Sequence, residues 1–127
     1  MKVVLANGCF DGLHAGHVQH LTAAKSLGDM LVVALTPDAL VNKGDGRPFF
    51  TWADRYCVLS ELRCVDDVVE SGENGVDAIL LIRPHIYAKG CEFEAIPQTT
   101  LDACKAVGAA VVFTGARMSG DKKLSSS

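Results

Sequence analysis

The fold is indicated by residues 3–17, which read VVLANGCFDGLHAGH. The stretch opens with Val3–Ala6, a short continuous apolar run of the kind found in strands buried on both faces. Three glycines spaced four residues apart follow, at Gly8, Gly12 and Gly16, and beyond them apolar residues recur at helical spacing. The stretch therefore predicts a buried strand, a glycine-containing loop and a helix, in that order.

The rest of the chain alternates between the same two kinds of segment. Strands separated by helices form right-handed βαβ units, which build a parallel sheet. The predicted fold is therefore α/β, a Rossmann-like three-layer sandwich with a five-stranded parallel sheet, and residues 1–127 are expected to form a single domain. The predicted strands are Val3–Ala6, Met30–Thr36, Val65–Glu70, Pro84–Lys89 and Ala109–Thr114.

The apolar spacing also predicts the bounds and the buried faces of the helices. Gly28 is expected to follow the C-cap of the first helix, and Thr51 is a good N-cap for a helix that ends near Leu62. Val76–Ile82 reads as a short helix, and Ile96–Val107 as a longer one that Gly108 closes. We expect inward positions at Trp52, Tyr56 and Leu59, and in the last helix at Leu101, Cys104 and Val107.

Composition excludes several classes of protein. A length of 127 residues suits one domain, and a net charge of −3 argues against broad electrostatic binding of nucleic acid. The longest apolar runs, Met30–Leu35 and Ala78–Ile82, are far short of a membrane span, and the N-terminus lacks the apolar length of a secretory signal. Five cysteines without a Cys-x-x-Cys pair suit a reducing compartment, so a cytoplasmic protein is expected.

Polar, glycine-rich segments follow four of the predicted strands. Ligands of open parallel sheets bind beyond the carboxyl ends of the strands, where the strand order reverses. One edge of the sheet is therefore the predicted site. The segments that meet there are Asn7–His17, Thr36–Asp38, Lys89–Glu92 and Thr114–Arg117.

His14 and His17 lie three residues apart where the first helix is predicted to begin, and so share one face of its first turn. A helix N-terminus offers free N–H groups and a partial positive charge, both suited to phosphate. Two imidazoles aimed at one point could donate hydrogen bonds to a shared anion, which favours phosphoryl-type transfer. The alternative is that they are capping or solvated residues. His20 continues the spacing, but no carboxylate or cysteine joins it, so no protein metal site is predicted.

These residues carry a resemblance to a known family. Phe10-Asp11-x-x-His14-x-Gly16-His17 resembles the His-x-Gly-His motif of the nucleotidyltransferase (cytidylyltransferase-like) superfamily. The string from Asn7 to Asp11, the Lys-Gly-x-Gly-Arg-Pro loop at 43–48 and the segment at 89–93 resemble the adenylyltransferase domain of ADP-heptose synthases. Nearly the whole chain takes part in the resemblance.

The resemblance implies a role for individual residues. His14 and His17 would stabilise the α-phosphate of a nucleoside triphosphate, and Lys43 would balance charge on the triphosphate or the acceptor phosphate. Acceptor-side residues would be Thr36, Asp38 and Arg55. Magnesium would be held mainly by the nucleotide phosphates. The nucleotide-binding residues would be Gly8, Cys9, Phe10, Asp11, Lys89, Gly90, Glu92, Ser125 and Ser126.

Plainer interpretations of several residues stay open. Asp11 could cap the following turn, and Arg55 could be a solvated helix charge paired with Asp54 or Glu61. Lys43 and Arg47 could be ordinary loop charges, and Lys89 and Glu92 a surface pair. Cys9 and Cys91 could be packing residues, Phe10 and Trp52 core residues, and the serines at 125–127 a polar tail.

The resemblance implies transfer of a nucleoside monophosphate, from ATP, to a sugar phosphate such as heptose 1-phosphate, with release of pyrophosphate. Alternatives are a cytidylyltransferase acting on glycerol 3-phosphate or a similar alcohol phosphate, and a non-catalytic nucleotide-binding module. Gly12 stands where sugar-phosphate members carry a larger apolar residue, and residues 10–14 are reminiscent of FMN adenylyltransferases. By the resemblance, a C-terminal helix would begin near Ser125, and we expect it to be missing or truncated in a sequence that ends at Ser127. By resemblance, the protein is expected to be a homodimer.

Overall fold

The computed structural model describes residues 1–41, 46–90 and 95–115. Five parallel strands form one sheet in the order β3-β2-β1-β4-β5. The strands are β1 (Val3–Gly8), β2 (Met30–Leu35), β3 (Asp67–Glu70), β4 (Ile86–Lys89) and β5 (Ala110–Phe113). The helices are α1 (Ala15–Lys25), α2 (Trp52–Ser60), α3 (Val76–Ile82) and α4 (Gln98–Val107), with single 3₁₀ turns at Asp38–Leu40 and Glu73–Gly75.

Helices cover both faces of the sheet because successive residues of a strand point to opposite sides. Val4 and Ala6 of β1 pack in the same cluster as Leu21 of α1 and Leu59 of α2. Leu5, between them in sequence, packs with the buried residues of α3 and α4. The predicted three-layer α/β fold with a five-stranded parallel sheet is therefore confirmed. No helix in the described ranges is long and apolar enough to cross a membrane.

The N-cap of α2 is where the sequence placed it, but the buried face of the helix differs. The Thr51 side chain accepts a hydrogen bond from the Asp54 amide, and Leu59 is fully buried. Tyr56 was expected inward and is instead 40% exposed, and its ring stacks on that of Trp52 at 5.2 Å between centroids. In this short helix, the Trp52 ring covers the edge of the core and leaves Tyr56 outside it.

Two further expectations about helix ends and faces are corrected. Gly28 does not follow a C-cap in the left-handed region; Ser26 is the C-cap of α1, and Gly28 is required because a Cβ there would lie 2.7 Å from the Lys2 carbonyl oxygen. Gly108 does close α4 with φ 76°, as predicted. On α4, Cys104 is buried as expected, whereas Leu101 and Val107 are only half-buried; Thr100 and Ala103 complete the buried face.

The strand order locates the binding edge. The chain runs from β1 outward through β2 to β3, then returns to the other side of β1 for β4 and β5. The direction of winding therefore reverses between β1 and β4, and a crevice opens beyond their carboxyl ends. The loop after β1 and the residues at the end of β4 meet at this point.

Candidate functional site

A cavity of about 550 Å³ lies at this edge of the sheet. Its volume falls within the range of small-molecule sites. The residues that line it come from the loop after β1, the first turns of α1, the ends of β2 and β4, and the segment that precedes α2. They are Asn7, Gly8, Cys9, Phe10, Asp11, Gly12, His14, His17, His20, Thr36, Arg47, Lys89 and Gly90.

The two histidines form the N-terminal cap of α1. His14 is the N-cap residue, and its Nδ1 atom accepts a hydrogen bond from the Gly16 amide at 3.1 Å. The Nδ1 atom of His17 accepts one from the His14 amide at 3.2 Å. The ring centroids lie 3.9 Å apart with 34° between the planes. The arrangement is a capping box in which imidazole nitrogens replace the usual side-chain oxygens.

This cap decides which ring nitrogens carry protons. A nitrogen that accepts an N–H bond has no hydrogen of its own, so a neutral imidazole in this position carries its hydrogen on Nε2. Both Nε2 atoms are thereby made donors by the helix cap. His14 and His17 share one face and line the same cavity, as predicted, and both also cap the helix, as the alternative interpretation held. Their role in binding phosphate stays a prediction.

Phe10 packs against His17. Its ring is 7% exposed and meets the His17 ring edge-to-face, with 5.3 Å between centroids. The backbone of Phe10 has φ 49°, and its ring lies so close to β1 that a Cβ on Gly8 would be 2.8 Å from the ring. The absence of a side chain at Gly8 therefore lets Phe10 pack beneath His17.

Asp11 ties the loop after β1 to the chain that precedes α2. Its carboxylate accepts hydrogen bonds from Arg47 Nε at 2.7 Å and from the amides of Phe49 and Phe50 at 2.8 and 3.0 Å. Burial raises the pKa of Asp11, but the Phe49 amide, the Arg47 guanidinium and the Phe50 amide outweigh it and hold the pKa below its ordinary value. Arg47 in turn lies over the Phe49 ring at 4.4 Å.

Arg55 joins three loops beneath the cavity. Its side chain is 1% exposed, and it donates to the carbonyl oxygens of Cys9, Thr36 and Phe50 at 2.8, 2.8 and 3.1 Å. The remaining bond goes to the carboxylate of Asp38 at 2.6 Å. The interpretation of Arg55 as a solvated charge paired with Asp54 or Glu61 is therefore wrong. Its proposed contact with the acceptor stays a prediction.

Four other predicted residues border the cavity. Thr36 follows β2 and donates from Oγ1 to the Gly8 carbonyl at 3.1 Å. Cys9 is a half-buried free thiol, and Lys89 and Gly90 stand at the end of β4. The structure brings these residues together, while their contacts with substrate stay predictions. Asp38 lies beside this group through its bond to Arg55.

Some predicted positions lie outside the described residues. These are Lys43, Glu92, Ser125 and Ser126, together with Cys91. Their predicted roles in charge balance and nucleotide binding stay predictions.

His20 is the cavity residue that sequence reasoning underused. It is 5% exposed, lines the cavity one turn beyond His17, and its Nδ1 lies 3.0 Å from Thr114 Oγ1. Its three-residue spacing from His17 is visible in the sequence, where it suggests a metal site more readily than a cavity residue. Within the described ranges, no group of three His, Cys, Asp or Glu side chains is placed to hold a metal ion.

Comparisons with known proteins agree with this geometry. Residues 5–121 match a family model described as cytidylyltransferase-like. The chain is 46% identical over 109 residues to the bifunctional protein HldE of Campylobacter concisus. The matched segment covers 84% of this chain and 23% of that protein. It is 48% identical over 96 residues to HldE of Campylobacter curvus, covering 73% of this chain and 20% of that protein. The chain thus spans about a fifth of the length of these curated relatives.

A solved structure agrees over the full length. The lipopolysaccharide core biosynthesis protein from Thermoplasma volcanium superposes with a TM-score of 0.73 at 27% sequence identity, covering 100% of this chain and 98% of that one. The family resemblance expected from the His-x-Gly-His motif is confirmed by these matches.

Proposed function

Because this chain belongs to the cytidylyltransferase-like family of nucleotidyltransferases, we propose that it transfers AMP from ATP to a sugar phosphate such as heptose 1-phosphate. The similarity to HldE proteins and to a lipopolysaccharide core biosynthesis protein supports a role in heptose metabolism for lipopolysaccharide. The observation that carries the proposal is the histidine pair, whose Nδ1 atoms accept the cap bonds and whose side chains line a cavity of about 550 Å³.

In the proposed reaction, a phosphate oxygen of the acceptor attacks the α-phosphorus of ATP. A new oxygen–phosphorus bond forms while the bond from the α-phosphorus to the β-bridging oxygen breaks, and pyrophosphate leaves with that electron pair. The attacking phosphate is already anionic, so no proton has to be removed from it. The chemistry needs positioning and charge stabilisation more than covalent help.

His14 and His17 would act on the oxygens of the α-phosphate. Negative charge shifts among these oxygens as the leaving bond breaks, and donors fixed in advance stabilise the transition state without having to reorient. Each bond from Nε2 to an anionic oxygen is worth about 1.5–3 kcal/mol. Together, two such bonds account for a rate effect of about two to four powers of ten.

Magnesium is proposed to enter with the triphosphate. Asp11 is the one carboxylate among the described residues that line this cavity. Both of its oxygens already accept bonds from Arg47, Phe49 and Phe50. Magnesium would therefore be held mainly by phosphate oxygens and water, and it would supply positive charge to the departing pyrophosphate. The resemblance also supports the proposal of a homodimer. The free thiols of the described cysteines suit the proposed cytoplasmic location.

A specific observation favours a second acceptor, FMN. Phe10 also borders a second, mainly apolar cavity of about 290 Å³, which is lined by Leu13, Phe50, Val58 and Leu59 together with Asp54 and Arg55. Gly12 borders both cavities, and a Cβ built on it would meet nothing within 4 Å. The space left open at Gly12 could take the flat apolar part of an acceptor, which a sugar phosphate lacks.

The test is pyrophosphate release from each pairing of ATP, CTP or GTP with heptose 1-phosphate, glycerol 3-phosphate or FMN, in the presence of magnesium. The proposal expects turnover with ATP and heptose 1-phosphate. CTP-dependent turnover of glycerol 3-phosphate, or turnover of FMN alone, would replace the proposed substrates. Triphosphate binding without pyrophosphate release from any pairing would identify a binding module.

Histidine variants connect the activity to the site. His14→Ala and His17→Ala are expected to lower kcat at least a hundredfold. His85→Ala is the matched control, because His85 Nδ1 also accepts a backbone amide bond, from Val3 at 3.0 Å, at the opposite edge of the sheet. Near-normal turnover by both site variants would remove the histidines from the reaction.

A further inference from the structure

A third imidazole in the cavity has no part in the reaction as described above. His20 belongs to α1, one turn beyond His17, and is 5% exposed. A polar side chain buried to this degree is costly unless it is hydrogen-bonded. Its Nδ1 lies 3.0 Å from the Oγ1 of Thr114, a residue 94 positions away in the chain.

Thr114 connects this bond to the other wall of the cavity. It follows β5 directly, and its amide donates to the Lys89 carbonyl at 2.8 Å. Its hydroxyl lies 3.4 Å from the Gly90 carbonyl, and the Gly115 amide donates to that same carbonyl at 3.1 Å. The carboxyl ends of β4 and β5 are therefore joined to each other at Thr114 and joined to α1 through His20.

The two walls that His20 connects have different tasks in the proposed reaction. The first turn of α1 presents His14 and His17 to the α-phosphate, whereas Lys89 and Gly90 border the part of the cavity assigned to the nucleotide. A nucleotide held by one wall reacts at the other, so the separation of the walls sets the alignment of the α-phosphorus. Misalignment of reacting groups by about 1 Å can cost a hundredfold in rate.

We propose that His20 is a positioning residue, which through Thr114 fixes the end of β4 relative to the histidine pair of α1. The expected effect of His20 on turnover rests on the proposed function. The contact itself is a property of the folded protein and can be tested without substrate.

The first test is a double-mutant cycle of His20→Ala, Thr114→Val and the double variant, with kcat and KM measured for each. Each single variant is expected to lower kcat about tenfold, the equivalent of one lost hydrogen bond, with little change in the KM of the acceptor. The double variant is expected to be no slower than the worse single variant. If the double variant loses kcat by the product of the two single losses, the two side chains act independently and the proposal is overturned.

Conservative replacements separate positioning from packing. The amide of Asn stands near the Nδ1 position of an imidazole, and that of Gln near Nε2. His20→Asn is therefore expected to recover most of the lost kcat and His20→Gln to recover less. Gln19→Ala, on the exposed side of the same helix, is the matched control and should leave turnover unchanged. If the Asn and Gln variants lose kcat equally, and in proportion to their loss of thermal stability, His20 has a packing role only and the proposal is overturned.

The second test uses backbone amide signals in NMR spectra of the same variants without nucleotide. The Gly16 amide reports on the histidine cap, and the Gly90 amide on the end of β4. Thr114→Val is expected to shift the Gly16 signal, and His20→Ala the Gly90 signal. Unshifted signals would overturn the proposal. If the wild type releases no pyrophosphate but the signals shift, the proposed reaction fails and the coupling through His20 stands.

Discussion

At the scale of single residues, the histidine pair combines two tasks in each ring. One nitrogen of each imidazole begins the helix by accepting a backbone N–H, and the other is thereby left as a donor. The assignment of tasks follows from hydrogen-bond geometry, since Nδ1 cannot both accept these bonds and carry a proton. The pair can therefore be divided experimentally into its two tasks.

We predict opposite effects from Asn and Gln at His14. His14→Asn keeps an acceptor near Nδ1, as an ordinary N-cap, so stability should be retained while kcat falls at least a hundredfold. His14→Gln keeps a donor near Nε2 but loses the cap, so it should retain more activity and lose about 1 kcal/mol of stability. Urea unfolding and steady-state kinetics measure the two properties. Equal activity in the two variants would contradict the assignment.

Asp11 gives the protein a predictable response to acid. Its pKa is lowered in the folded protein from 3.8, so its contribution is fully present above about pH 5 and is lost as the pH falls through 3.8 towards the lowered value. Asp11→Asn should reduce the free energy of unfolding by about 1–3 kcal/mol at pH 7. This difference from wild type should shrink below pH 4 in urea titrations. The bond with Lys25 and the Leu31 amide also lower the pKa of Asp66, but that acid response cancels because both proteins share it. A difference independent of pH would be inconsistent with an ionised Asp11.

The sequence predicted which residues would meet near the histidines better than it predicted their partners. The spacing of His14 and His17 was visible because both lie in one helical turn. The bonds of Asp11 to Phe49 and of Arg55 to Cys9 cross 38 and 46 positions. Partners at such separation depend on how loops pack, and local periodicity carries no information about that.

At the scale of elements, the strands were found within a few residues of their observed bounds because each is a short apolar run. The errors were local. The third strand begins at Asp67 rather than Val65, and the last helix begins at Gln98 rather than Ile96. Pro97 occupies the N-cap of the last helix, and the paired register of β3 with β2 begins at Asp67, so apolar character alone overextends both elements.

Gly28 shows how an element boundary can be set by a distant segment. A Cβ at this position would lie 2.7 Å from the Lys2 carbonyl oxygen and 2.8 Å from a Val4 methyl carbon. Gly28→Ala is therefore predicted to cost about 1–3 kcal/mol, because backbone must move to accommodate it. Thermal or urea unfolding measures the loss. Thr22→Ala, at an exposed position of α1, is the control. Unchanged stability would mean that the approach of Lys2 is not close in solution.

At the scale of the whole molecule, the sequence specified the class of fold but not the order of its strands. The order β3-β2-β1-β4-β5 depends on the side of β1 to which the chain returns after α3, and the apolar pattern of a buried strand is the same on either side. The position of the crevice between β1 and β4 therefore emerged only with the structure. The residues that the resemblance names for nucleotide binding and that the structure describes line the cavity at this crevice, and their contacts with a nucleotide stay predictions.

Nucleotide binding should be visible as stability of the entire domain. A ligand at a hundred times its Kd raises the free energy of unfolding by about 2.7 kcal/mol, which corresponds to about 10 °C in Tm for a domain of this size. ATP with magnesium is expected to give this shift, and CTP or GTP a smaller one. A larger shift with CTP would change the proposed base. The same shifts in His14→Ala and wild type would place the histidines outside the ground-state contacts.

The bonds of Arg55 and Asp11 have a consequence for the thermodynamics of binding. They hold the loops around the cavity through the folded chain's own carbonyl and amide groups, with Cys9, Thr36 and Phe50 as their anchor points. Ordering of those segments is thus completed during folding, and association of substrate need not supply it. Calorimetry should therefore report a small entropic penalty for the segments that these two side chains hold.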